Sequence, residues 1–499
     1  MRASVFLLTL AAALLSAPLF ASDLPAAAPA VVVPTKLPHD LEGKWTGEVR
    51  RGEESSEFGL LIYRAKDGVR IGARLWMPQL NAYGSFIGLV EMQDNEPGIP
   101  GFNTPLRFDG DTLSGSLYLP DLKFAARKGG EFPHEKGPPD DLPAGPAPAW
   151  TYAAGAALWT TPTVVDERAY CGDAAGKLHA VDTANGRAAW VIDLQAAIHG
   201  EVTAAGESLY LVTDAGVLLK LARSDGAEIW RVDLGGAGGR SLPSNGAAEW
   251  DFVSPAPLVA DGVVFVGSVT GEFHALDAAT GQSRWTFKTG GKLRATACVD
   301  RDRIYFGSMD RFVYALDRAT GALAWKFDTG GPVTTRPVLA GDKLVIGTRD
   351  AALLYGLNAR DGSVAWSVNH WLSWVESSPV LADDGLLYIG SSDSRRVRCL
   401  EPATGKVRWT TQVWGWTWGT PLVRGERVYF GTVGAAEYFV SQQASFGALD
   451  RVTGKLLWRT SLPLLDHSYA AGVAGSLVAA GPFALVAGID GVLRALPAD

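Results

Sequence analysis

Cysteine is almost absent from this chain: 499 residues contain only Cys171, Cys298 and Cys399. Three is an odd number, and each sits in an apolar run of a different repeat, too far apart to bridge. A disulfide framework is therefore excluded, and the three read as small buried hydrophobes. No C-x-x-C-H, zinc-ligand spacing, glycine-rich phosphate loop or nucleophile elbow occurs, so c-type haem, structural zinc, nucleotide phosphates and α/β-hydrolase chemistry lose their usual signatures. A basic block is missing too: 45 Lys and Arg face 53 Asp and Glu, for a net charge of −8. That balance argues against nucleic acid as the main partner, and no Lys/Arg-rich amphipathic stretch favours an anionic membrane surface. Nowhere do eighteen apolar residues follow one another, so no transmembrane helix is expected.

The N-terminus, MRASVFLLTLAAALLSAPLFAS, has one Arg, a short apolar core and small residues ending near Ala21. Residues 1–21 are expected to be a secretory signal peptide, with no nearby Cys to carry a lipid. The mature protein is expected in the periplasm or secreted, and soluble. Residues 22–40 are an Ala/Pro-rich linker, 41–128 carry alternating strand patterns, and 129–149 form a second Pro/Gly-rich linker.

From residue 150 to 499 one pattern recurs. EFHALDAATGQSRWTFKTGG (272–291) and YALDRATGALAWKFDTGG (314–331) are near copies, and HAVDTANGRAAW (179–190) and GALDRVTGKLLW (447–458) belong to the same series. In seven such segments a Gly stands four residues before a Trp. Four short apolar runs in about forty residues, separated by DG and TG turns, make a four-stranded antiparallel sheet too small to stand alone. The turn Gly supplies a positive φ, the Asp bonds the turn backbone, and the Trp is aimed at one reproducible place against the neighbouring sheet. PAWTYAAGA (148–156) supplies a Trp strand without a preceding pair, while the C-terminus supplies three strands and no Trp. Joining them closes a ring, with Trp150, Trp190, Trp230, Trp285, Trp325, Trp366, Trp409 and Trp458 marking eight blades. The expected fold is all-β: a small antiparallel β-domain followed by an eight-bladed propeller.

This A-L-D-x-x-T-G-x-x-x-W pattern resembles the tryptophan-docking repeat of the PQQ-like propellers, which include quinoprotein alcohol dehydrogenases and BamB-type propellers. The N-terminal segment beginning LEGKWTGEV resembles small lipocalin-like β-domains. The enzymes in this family hold their quinone against a ring of two adjacent Cys and bind Ca²⁺ through Glu, Asn and Asp. Here there is no Cys-Cys, and Glu201, Asp251 and Glu376 are single carboxylates in loops. No cofactor is expected on this reading; PQQ and calcium belong to an alternative, a divergent quinoprotein oxidoreductase.

Tryptophan is abundant, at 17, and unevenly spread. Besides the eight repeat residues and Trp45 and Trp76, seven remain: Trp159, Trp250, Trp371, Trp374, Trp414, Trp416 and Trp418. All seven fall between a repeat Trp and the next blade's first strand, on the face that also receives the insertions 235–250 and 433–446. Aligned on VESSPV (375–380), one ring of positions reads Trp159, His199, Ser254, Arg294, Thr334, Glu376, Trp418 and Ala474. The aromatic, cationic and anionic members make a ligand funnel or, if the rings pack together, a plug for the axial hole. Candidate ligand-binding residues are Trp159, His199, Trp250, Arg294, Trp371, Trp374, Glu376, Trp414, Trp416 and Trp418. Catalytic and metal-binding residues are not assigned; His179 and His274 read as blade-surface residues, and His199, His370 and His467 come from separated blades. The expectation is a non-catalytic binding or scaffold propeller, with an envelope protein, a peptide or a glycan at the Trp-rich face.

Overall fold

The computed structural model describes residues 40–67, 69–93, 96–236, 254–435, 442–464 and 470–498. Residues 1–21 and nearly all of 22–40 lie outside them, as do Trp250, Asp251 and His467. The described residues fall into two compact units.

The first unit is a seven-stranded antiparallel sheet whose strands lie in the spatial order 82–89, 71–77, 54–64, 43–51, 122–128, 112–117, 102–109. Its sequence alternates as a half-buried sheet must: in LKFAARK (Leu122–Lys128) the residues Leu122, Phe124 and Ala126 are buried and their neighbours exposed. Trp45, Phe58, Leu60, Leu75, Leu113 and Phe124 fill the inner face. On the outer face the Phe132 ring stacks on Trp76 with centroids 3.8 Å apart. Gly59 leaves the space, since a Cβ there would stand 2.7 Å from Phe132.

The second unit is a ring of eight four-stranded antiparallel blades. Blade 3 shows the construction: 258–260, 263–267, 272–277 and 283–288, from the channel outward. Second strands are buried at four consecutive positions (Val264–Gly267 in VVFVG) because a neighbouring blade covers each face. Fourth strands alternate instead, being at the rim. Between the third and fourth strands Asp277 Oδ1 accepts the N–H of Ala279 and of Thr280, both at 3.0 Å, and Gly281 turns at φ +74°. Arg284 and these turn donors hold the Asp277 carboxyl down at about 2. The pairing then slips by one residue, so Arg284 bulges and Trp285 follows at once, as in the equivalent place of the other internally complete blades.

Seven of the eight repeat indoles lie against the turn glycine of the next blade. A Cβ on Gly321 would stand 2.6 Å from the Trp285 ring, and Gly186, Gly226, Gly281, Gly362, Gly405 and Gly454 meet Trp150, Trp190, Trp230, Trp325, Trp366 and Trp409 in the same way. Six indole N–H groups also donate to a carbonyl of the next blade, for example Trp325 Nε1 to Ala359 O at 3.0 Å.

Closure joins the first strand of the repeat region to the last. Trp150–Ala153 pairs antiparallel with Val492–Ala495, completing blade 8 around 478–480, 483–487 and 492–497. Blade 8 therefore has no turn glycine of its own to offer Trp458. The segment before Trp150 supplies one: a Cβ on Gly145 would stand 2.3 Å from the Trp458 ring. Its N–H donates to Thr460 Oγ1 at 3.0 Å, and Pro143 O accepts the Arg459 N–H at 3.1 Å. The stretch read as a linker is thus held against blade 7 at this point. Across the seam, Tyr152 OH meets His179 Nδ1 at 2.9 Å and His179 Nε2 meets Asp173 Oδ2 at 3.0 Å. His179, expected on a blade surface, is instead buried at this junction because Tyr152 closes over it. The cysteines are free thiols, and burial pushes Cys171 and Cys298 up to about 12 and Cys399 to about 11.

Gly145 gives a direct test of closure. Gly145→Val forces a side chain into the Trp458 ring and should cost about 1–3 kcal/mol, as overpacking does. Gly137→Val, at a position with nothing within 4 Å of its Cβ, should leave thermal unfolding unchanged. Equal melting temperatures for the two variants would show that Gly145 does not hold the ring.

Candidate functional site

One face of the ring collects the connections between blades and the turns between second and third strands. The two kinds of loop are stitched together: the turn residues Asp214, Met309, Arg349, Ser392 and Ile489 donate their N–H to carbonyls of the adjoining connections. Side chains from both are therefore delivered to the same channel mouth.

Neighbours in the aligned ring of positions do touch. The Trp159 and His199 rings are 6.3 Å apart, edge to face. Gly200 bridges Ser254, and Thr334 Oγ1 donates to Glu376 Oε2 at 2.9 Å. The turns add partners. His199 Nδ1 meets Asp214 Oδ2 at 2.6 Å, and Arg349 pairs with Glu376, both side chains buried. The Arg349 guanidinium lies over the half-buried Trp374 ring, 4.8 Å from its centroid. Arg294 is 2% exposed and lines a pocket with Asp214, Ser254 and Ser268. Blades 1 to 6 thus present an arc of charged and polar groups, and Glu376 is held by a cation and a hydroxyl.

The sector from blade 6 to blade 8 is built differently. Trp371, Trp414, Trp416 and Trp418 are 1%, 6%, 1% and 7% exposed, so these four rings are packed and offer no open stacking surface. Trp416 and Trp418 stack 5.1 Å apart, and their N–H groups donate to Asp393 Oδ1 at 2.9 Å and Ser392 Oγ at 3.3 Å. The second strand of blade 7 runs long, Arg427–Gly434, and its end pairs with Trp416 on one side and with Ala471–Gly472 on the other. Trp371 and Trp414 also take left-handed backbone, φ +57° and +59°, where the equivalent Gly330 has φ +81°. A bulky residue holds that conformation only when packing fixes it, and these rings are so fixed.

The turn residues Asp214, Arg349, Ser392 and Asp393 were missed from sequence. Their signal was present: TDAG, SVTG, TRDA and SSDS follow the second strand at a constant offset.

The quinone-and-calcium alternative can be set against these groups. Both oxygens of Glu376 are engaged, one by the Arg349 cation, and a second cation there would be repelled. Among the described residues no three His, Cys, Asp or Glu side chains converge to hold a metal ion. With no adjacent Cys pair either, the described residues do not fit that cofactor pair.

The pattern of the family described as outer membrane protein assembly factor BamB matches residues 144–252, 216–369 and 350–496. The chain belongs to this family. Solved structures place the same fold beside it. BamB from Moraxella catarrhalis is 18% identical with a TM-score of 0.52, covering 70% of this chain and 97% of that one. Quinohemoprotein alcohol dehydrogenase from Comamonas testosteroni is 16% identical with a TM-score of 0.52, covering 68% and 72%. The computationally designed Ika8 protein, 14% identical with a TM-score of 0.55, covers 69% and 98%. At these identities they establish the fold alone, and no curated protein sequence matches the chain. No helix among the described residues of this BamB-family chain is long and apolar enough to cross a membrane.

Two measurements follow from the packed sector. Trp416→Ala should cost about 3–5 kcal/mol, as large-to-small core changes do, whereas Trp159→Ala, half-buried at the mouth, should cost far less. Thermal melts of the two variants compare them directly. His370 is fully buried, and neither ring nitrogen has a hydrogen-bond partner among the described residues. Burial, with the Arg398 and Arg396 charges, holds its pKa well below 6.5. Below pH 6.5 the unfolded chain takes up a proton that the native ring refuses, so stability present above that pH is lost as pH falls toward the depressed native value. The loss approaches about 1.4 kcal/mol per pH unit for one such group. Denaturant titrations between pH 7.5 and 5 should show a steeper fall for the native protein than for His370→Gln.

Proposed function

We propose that this protein is an exported, non-catalytic binding propeller of the cell envelope, whose channel mouth holds an envelope protein, a peptide or a glycan. The observation that carries this reading is the arc of charged and polar side chains which successive blades bring to one face, in which Trp159, His199 and Trp374 are half-buried and reach solvent while Arg294 and Glu376 are buried. Such groups on a rigid ring orient a ligand without supplying a nucleophile. Membership of a family described by outer-membrane assembly supports a partner-binding role, and the secretory pattern of residues 1–21 supports export. The packed tryptophans serve as the wall against which the arc is held, and Trp250 lies outside the described residues.

The competing reading is a divergent PQQ-dependent oxidoreductase. Protein supplied with PQQ and Ca²⁺ should give no alcohol-dependent dye reduction; robust turnover of a primary alcohol would replace the present reading. In parallel, Trp159→Ala with His199→Ala should weaken capture of an envelope component at least about tenfold, or about 1.4 kcal/mol, with the fold intact. Val452→Ala, on an 83% exposed residue of a turn on the opposite face, should leave capture unchanged.

A further inference from the structure

Blades 1 to 7 join their third and fourth strands by a tight turn with a positive-φ glycine, and that turn sets the register of the outer strand. Blade 8 has no such turn. Its outer strand, Trp150–Ala153, comes from the start of the repeat region and pairs with Val492–Ala495 over four residues. A slide of one residue would turn the Trp150 side chain to the outer face, because side chains alternate along a strand. A slide of two residues keeps the faces and is harder to refuse. It would bring Tyr152, another aromatic, to the seat of Trp150, and Ala154 to the place of Tyr152.

The groups that tell these registers apart are buried across the seam. Asp173 Oδ1 accepts the N–H of Ala175 and of Lys177, at 2.9 and 2.8 Å. Its Oδ2 faces His179 Nε2 at 3.0 Å, so the imidazole donates there and Nδ1 accepts the Tyr152 hydroxyl at 2.9 Å. Asp173 and His179 are each 1% exposed. In the slid register His179 would face Ala154, and its buried Nδ1 would have lost its donor. Other junctions fill the equivalent place with ring edges or apolar contacts. Phe287 meets Tyr314 and Phe327 meets Tyr355 edge to face, at 5.6 and 5.3 Å, and Ile192 packs with Leu219.

We infer that Asp173, His179 and Tyr152 are a register lock, doing for the closing strand what the hairpin turn does in the other blades. A buried polar set adds little net stability over apolar groups of the same shape, but it penalises every arrangement that leaves one member unpaired. The lock stands at the one junction where the chain's own connectivity does not set the register. Asp173 is itself fixed by its own turn, so the imidazole is held in one orientation and one tautomer before the strand arrives.

Hydrogen–deuterium exchange of the full-length protein tests the lock. Tyr152→Phe keeps the ring and removes the hydroxyl. Peptides carrying Trp150–Ala153 and Val492–Ala495 should then exchange at least about tenfold faster than in the native protein. Tyr314→Phe is the control. It removes a comparable hydroxyl bond, to Asp310 Oδ2 at 2.7 Å, but the fourth strand it faces, Ser283–Lys288, is tied by its own turn. Exchange in that strand should stay unchanged. A triple variant, Tyr152→Ile with His179→Leu and Asp173→Thr, copies Ile192, Leu219 and Thr213 from the equivalent places of the next junction. It should melt near the native temperature, while its closing strand again exchanges at least about tenfold faster. Native protection of 150–153 in either variant, equal loosening of 283–288 in Tyr314→Phe, or a triple variant that does not fold would each overturn the proposal. If Tyr152→Phe does not fold, the triple variant decides alone.

Discussion

The ring depends on a contact between one indole and a turn glycine that carries no side chain. Each repeat sheet is too small to bury its own faces, so stability has to come from its neighbours. A glycine in the turn lets the Trp of the preceding blade lie flat on backbone, and the bulge before that Trp aims it there. Because the same geometry recurs around the circle, the angle between blades is set once and repeated. The eighth contact is the exception that shows the rule. Blade 8 takes its outer strand from residues 150–153, so its turn is missing, and Gly145 fills the vacancy at Trp458.

A ring of eight such wedges leaves an axial opening that the outer contacts do not fill. The protein treats its two halves differently. From blade 6 to blade 8, the long strand Arg427–Gly434 and the buried tryptophans close the space with apolar surface and hydrogen-bonded indoles. From blade 1 to blade 6, charged and hydroxylated side chains remain at the mouth, arranged in mutual pairs: His199 with Asp214, and Arg349 with Glu376. Buried charge is tolerated there because each ion has a partner of opposite sign, and that pairing also fixes where each group points. One half is thus apolar and the other polar, and both are packed.

Much of the fold was legible in the chain. The spacing of Asp277, Gly281 and Trp285, and its copies, led to four-stranded blades, to their number and to closure through Trp150, because turn chemistry and strand period are local properties. The aligned ring of Trp159, His199, Ser254, Arg294, Thr334 and Glu376 was legible for the same reason: one offset in every repeat leads to one place in space. Six of the seven remaining tryptophans lie among the described residues, and their spacing did not say which way each ring faces.

The sequence alone settled repeat, blade count and the strand that closes the ring, since hydrophobic period and a positive-φ glycine act within a few residues. Only the tertiary structure decided that Trp371, Trp414, Trp416 and Trp418 are covered, that Asp214 and Arg349 complete the mouth, and that Gly145 and His179 belong to the seam. Those outcomes depend on what another blade brings within a few ångströms. An exposed aromatic and a buried one have the same letter, and an acid acquires its partner from a loop some fifteen to thirty residues away. Burial and pairing are properties of the assembled ring.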